Sequence, residues 1–149
     1  MTARSSRPVS ARRAARNPKA PHLIAADETC FAELEALIAT LPLCATGRVF
    51  VEVPDASWVS ELQAPPRMTV TWLDRSRRTG PAGSECGVGH ALTRAVTAWA
   101  DEMLCEEEDD STRVFLLGDP LAASDIAAHL TRSLEVPASR VFALARFTD

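Results

Sequence analysis

No stretch of this chain is apolar for long enough to span a membrane or to form the core of a signal peptide. A soluble, cytoplasmic protein is therefore the expectation. The four cysteines stand at positions 30, 44, 86 and 105, nowhere spaced as CxxC, and the three histidines at 22, 90 and 129 are just as scattered. Neither a zinc site nor a disulfide framework is written in such spacing, so reduced, mostly buried thiols are expected. Cys86 and His90 lie four apart, but two ligands are fewer than a metal site normally recruits. Acidic residues are absent from positions 1–19, which carry Arg4, Arg7, Arg12, Arg13, Arg16 and Lys19.

That asymmetry hides behind a net charge of −4. With six of the 16 basic residues in the arm, the body keeps 10 against 20 acids, a balance of −10. An acidic body repels nucleic acid and anionic membranes, so nucleic acid is an expected partner only through residues 1–19. Residues 1–20 are rich in Arg, Ser, Ala and Pro and lack a periodic apolar face, which predicts a disordered basic arm. It reads either as an anchor for an acidic partner or as a solvated tail. The remaining residues, 21–149, fit one domain, and the composition of the whole chain, 46% hydrophobic with 24% charged residues, is ordinary for a globular protein.

Two junctions organise that domain. Residues 22–29 and 113–120 each end a doubly apolar run at an acidic helix cap, at Asp27 and at Asp119-Pro120. Strands are predicted at 22–26, 48–53, 68–73, 113–117 and 140–144. Helical spacing of Phe31, Leu34, Leu37, Ile38 and Leu41 follows the first strand and stops at Pro42. A second helix over 90–104 aligns Leu92, Val96, Trp99 and Met103, and a third places Ile126, Leu130 and Leu134 inward. The acid run 106–110 reads as a solvated loop. No helix is predicted between strands two and three, where the loop around 57–62 must make the crossover, with room for a short helical turn.

This alternation predicts an α/β fold: an open, parallel, five-stranded, Rossmann-like sheet in three layers, with helices on both faces. Ligands of such sheets sit beyond the carboxyl ends of the strands, where helix amino ends present N–H groups. A response-regulator receiver also carries acids after its first and third strands, but it needs a lysine ending the fifth, and the sole lysine here is Lys19. Ser124, Asp125 and His129 share one helix and represent its polar face rather than a triad.

The runs Leu23-Ile-Ala-Ala-Asp27-Glu28-Thr29, Val49-Phe-Val-Glu-Val-Pro54, Val70-Thr-Trp72-Leu-Asp-Arg75, Phe115-Leu-Leu-Gly118-Asp119 and Ser139-Arg-Val-Phe142 follow one another in this order. In that order they resemble the carboxyl-terminal domain of siderophore-interacting proteins, which are ferric-siderophore reductases of the ferredoxin-reductase superfamily. The resemblance implies a nicotinamide-nucleotide site. The family's Gly-Asp-Glu-Thr turn matches Ala26, Asp27, Glu28 and Thr29, with Ala in place of Gly, and its Gly-Glu junction matches Gly118 and Asp119. Arg75, Ser76 and Arg77 stand where relatives hold the 2′-phosphate of NADPH. The family's closing Gly-Tyr-Trp-Arg is replaced by Ala145-Arg146-Phe147-Thr148, leaving Phe147 as the aromatic near flavin and nicotinamide.

Each of these positions also has a plain structural reading. Asp27 caps a helix with Thr29 in its first turn, Gly118 makes a tight turn, and a basic loop at 75–78 is a solvated connection. Asp27 and Glu28 together would repel a pyrophosphate. The family's flavin-binding barrel, which passes electrons singly to Fe(III), is not expected from residues 1–20. FAD is thus expected only through a partner protein, a flavin-binding reductase domain in trans, and ferric siderophore only indirectly. A non-catalytic interaction or regulatory module with a degenerate nucleotide crevice is the alternative.

Overall fold

In a computed structural model of the chain, residues 21–104 and 112–143 are described. The basic arm, the acid run 106–110, Cys105 and Phe147 lie outside these residues. Five strands form: β1 (Pro21–Asp27), β2 (Thr46–Val53), β3 (Met68–Asp74), β4 (Arg113–Leu116) and β5 (Val141–Ala143). They make one parallel sheet in the order β3-β2-β1-β4-β5. Three helices accompany them: α1 (Phe31–Ala39), α2 (His90–Met103) and α3 (Pro120–Ala128). The architecture is the α/β open sheet that strand-helix alternation predicts.

The connection order reverses between β1 and β4, so the two halves of the chain wind onto opposite faces. Within β1, Ile24 and Ala26 face the α1 side with Leu34 and Ile38, while Leu23 and Ala25 face α2 and α3 with Leu92, Val96 and Ile126. Burial on both faces explains why β1 reads as a continuous apolar run rather than an alternating one. On its α1 side β3 meets α1 through Trp72 against Phe31 and is flanked by the chain that leads into it. There the β2–β3 connection makes one tight helical turn at Ala56–Trp58, and its Leu62 and Ala64 pack onto the sheet.

Two expectations are corrected by packing. Met103 is 58% exposed, because the buried stripe of α2 runs through Leu92, Val96 and Ala100 and is completed by Leu104. Trp99 is only partly buried against it. Of the described cysteines only Cys30 is buried, whereas Cys44 and Cys86 lie half-exposed in connections. The predicted third helix divides into α3 and a π-helical turn at His129–Ser133, with Ile126 and Leu130 in the core as expected and Leu134 at its edge.

Gly47 sets the distance between the first two strands. It pairs with His22 at φ +134°, and a Cβ there would lie 1.9 Å from the His22 carbonyl oxygen. Gly47→Ala therefore forces the central strand pair apart. Chemical denaturation is expected to show a loss of about 3 kcal/mol or more, the scale of combined backbone strain and overpacking.

Candidate functional site

The acids at the carboxyl ends of the central strands are spent on helix amino ends. Asp27 closes β1 and Glu52 stands opposite it in register on β2, both on the face that carries α2 and α3. The Asp27 carboxylate is 1% exposed. One of its oxygens accepts from the Thr29 amide (2.9 Å) and hydroxyl (2.5 Å), and the other from the Asp119 amide (2.7 Å). It thus caps the turn Glu28–Cys30 and ties the tip of β1 to that of β4. Gly118, at φ +94°, makes room for it, since a Cβ there would lie 2.6 Å from the carboxylate. The Asp119 carboxylate in turn accepts from the Ala122 amide at 3.0 Å and, with Pro120 following, opens α3.

Glu52 is fully buried and makes the second knot. Its oxygens accept from the amides of Gly89 (2.8 Å) and Leu92 (3.1 Å) at the start of α2, and from the Arg75 guanidinium (2.7 Å). Arg75 reaches on to Glu28, with N···O distances of 2.5 and 3.2 Å. Burial opposes the charge on Arg75, but the hydrogen bonds and charges of Glu28 and Glu52 outweigh it and hold the guanidinium more firmly protonated than a free one. Residues just beyond β1 and β3 are thereby clamped onto the carboxyl end of β2. Glu52 escapes a motif-based reading, although an acid inside Val49-Phe-Val-Glu-Val is a signal of its own: a carboxylate in a doubly apolar strand has to be paired.

Beyond β3 the loop divides its arginines. Arg75 lies beneath, 11% exposed, whereas Arg77 is 81% exposed, 3.6 Å from Asp74. Ser76 gives both its amide (2.8 Å) and hydroxyl (2.6 Å) to Asp74. Arg77 and the exposed Arg78 border an open cleft of about 730 Å³, completed by Ala56, Val59, Trp72 and Asp74. Trp72 packs against Phe31, and Phe31 against Trp58, with ring centroids 6.1 and 6.2 Å apart. Asp55 holds this wall in place. Its carboxyl lies below the usual range because the hydroxyl and then the amide of Ser57 donate to it.

Two groups of the expected residues are therefore brought together: Asp27, Thr29, Gly118 and Asp119 at the β1–β4 tips, and Glu28 with Arg75 beside them. Arg77 faces a separate cleft, which Trp72 and Arg78 also line. Among the described residues no group of three or more metal-ligating side chains assembles, and no helix is long and apolar enough to cross a membrane. His129 pairs with Asp101 of α2 at 2.6 Å instead of joining a triad.

Comparison with known families decides the lineage of this arrangement. The profile described as siderophore-interacting protein matches residues 19–145. The chain belongs to the siderophore-interacting protein family. Its fold is similar to the crystal structure of the siderophore-interacting protein SipS from Aeromonas hydrophila, with 22% identity, TM-score 0.62, and coverage of 85% of this chain and 50% of that one. It is also similar to a siderophore utilization protein from T. fusca, at 26% identity and TM-score 0.62, over 83% of this chain and 43% of that one. The siderophore-interacting protein from Acinetobacter baumannii shares the fold at 14% identity and TM-score 0.60, over 84% and 45% of the two chains. This family member thus spans about half the length of those structures, and curated sequences give no significant match.

The buried carboxylate is the most exacting test of the site's construction. Glu52→Ala removes the acceptor for two amides at the start of α2 and one of the two carboxylates that hold Arg75, so unfolding experiments should show a loss of about 3–5 kcal/mol. Glu52→Gln retains one acceptor oxygen and is expected to lose clearly less.

Proposed function

We propose that this domain is the nicotinamide-nucleotide-binding half of a flavin-dependent ferric-siderophore reductase, acting in siderophore iron release only together with a flavin-bearing domain. The observation that carries the reading is the cleft beyond β3, where an aromatic wall at Trp72 faces the two exposed guanidinium groups of Arg77 and Arg78. A flat base against the indole and a phosphate on the arginine forks suit those surfaces. Membership of the siderophore-interacting family supports the link to iron carriers.

The division of labour follows from electron counting. A nicotinamide nucleotide delivers two electrons as hydride and Fe(III) accepts one, so a flavin is the group that takes the pair and releases electrons singly. The residues of this domain hold and orient the nucleotide. Arg77 and Arg78 offer forked donors to a 2′-phosphate, and Trp72 with Val59 offers apolar surface to the adenine. NADPH rather than NADH is the nucleotide such a pair of arginines favours.

A second reading has its own observation. The Asp27 carboxylate fills the space between the β1 and β4 tips, and the Thr29 hydroxyl is turned onto it rather than outward. This favours a non-catalytic interaction module in which the crevice is closed.

Titration of the protein with NADPH and NADH, followed by fluorescence of Trp72 with Trp72→Phe as control, separates the two readings. Nucleotide binding is expected, with NADPH preferred by about 10-fold or more, the value of charge-assisted hydrogen bonds to a phosphate. The Arg77→Ala/Arg78→Ala variant should lose that preference and keep NADH binding. A protein that takes up neither nucleotide at millimolar concentration is the interaction module.

A further inference from the structure

Arg75 and Arg77 are two residues apart in one loop, yet they face different surroundings. The Arg75 guanidinium spends its forks on two carboxylates, Glu28 and Glu52, and its side chain is 11% exposed. Three of its N–H donors are engaged there, and a phosphate that took over any of them would displace one of the two carboxylates. Glu52 is fixed by the α2 amides and fully buried, so it is not the one that yields.

Glu28 is different. It is the first residue past the tip of β1, adjoining the ligand side of the sheet, and a carboxylate left ionised there meets an incoming pyrophosphate with like charge. In the structure its two oxygens are bound to both terminal nitrogens of Arg75, and its side chain is 15% exposed. Asp27, the neighbouring acid, is likewise turned inward onto the amides of Thr29 and Asp119. Both acids at the β1 tip are thus turned onto internal donors.

We propose that Arg75 is a positioning residue, not a phosphate ligand: anchored on Glu52, it draws the Glu28 carboxylate aside and cancels its charge, which opens the β1 edge of the crevice to a dinucleotide pyrophosphate. This inference rests on the nucleotide-binding reading above. It assigns the 2′-phosphate to Arg77 and Arg78 and leaves Arg75 indifferent to it. The roles are separable because the pyrophosphate is common to NADPH and NADH, whereas the 2′-phosphate is not.

The test is a rescue experiment with both nucleotides as probes. Arg75→Gln should weaken NADPH and NADH alike, by about 10-fold or more for a restored like charge beside the pyrophosphate. Glu28→Gln alone should tighten both, and adding it to Arg75→Gln should return affinity to within about threefold of the original. Because Arg75→Gln also strips Glu52 of its counter-ion, the same cycle is run on a Glu52→Gln background, with the thermal midpoint recorded for each protein. Arg75→Gln weakening NADPH far more than NADH, with no rescue by Glu28→Gln, overturns the proposal in favour of a direct phosphate contact. Affinity that falls only in step with the thermal midpoint, again without rescue, overturns it in favour of a purely structural clamp. An unsubstituted protein that binds neither nucleotide overturns the underlying reading as well, and is recognised before any variant is made.

Discussion

A carboxylate with no exposure to water, Glu52, constrains the carboxyl edge of the whole sheet. An ionised group so placed is tolerated only when its lone pairs are filled, and here the filling comes from two distant parts of the chain. The amides of Gly89 and Leu92 fix where α2 starts, and the guanidinium of Arg75 fixes the path taken after β3. One side chain therefore sets the relation of β2, β3 and α2, and through Arg75 it extends to Glu28 beyond β1.

Asp27 does for the other half what Glu52 does for the first. It links the β1 tip to the backbone at Asp119, just ahead of α3, while Gly118 leaves the space in which the carboxylate lies. The carboxyl ends of β1 and β2 consequently carry acids whose oxygens are already engaged, not acids directed at solvent. Outward-facing charge lies elsewhere, on Arg77 and Arg78 beside Trp72. The exposed guanidinium groups thus gather positive charge at the β3 end of the sheet, while the β1–β4 junction is closed by hydrogen bonds within the chain.

Much of the fold is legible in the residues themselves. The doubly buried run at β1, the periodicity of α1 and the Asp119-Pro120 cap each impose a local outcome that packing does not overrule. The absence of a helix between β2 and β3 is equally visible, because residues 54–67 carry no apolar stripe. Met103 is misplaced by periodicity alone: where a stripe leaves the sheet depends on where the helix ends, and Leu104 takes the buried position. Among site residues, the residue types at 27, 28 and 75 point to charge-bearing roles, but Asp119, Arg75 and Glu52, which bind them, lie tens of positions away in the chain.

Periodicity, cap chemistry and the alternation of strands with helices thus point to the parallel sheet and its helical layers, and the order of the motifs along the chain carries the family resemblance. Which acids face a ligand and which face an amide is decided only once β1, β2 and β3 lie side by side. Hydrogen bonds such as Arg75 to Glu28 and Asp119 to Asp27 span 47 and 92 positions, and no local rule selects them. Burial removes water as the competing partner, and the few donors then within reach determine what each carboxylate does.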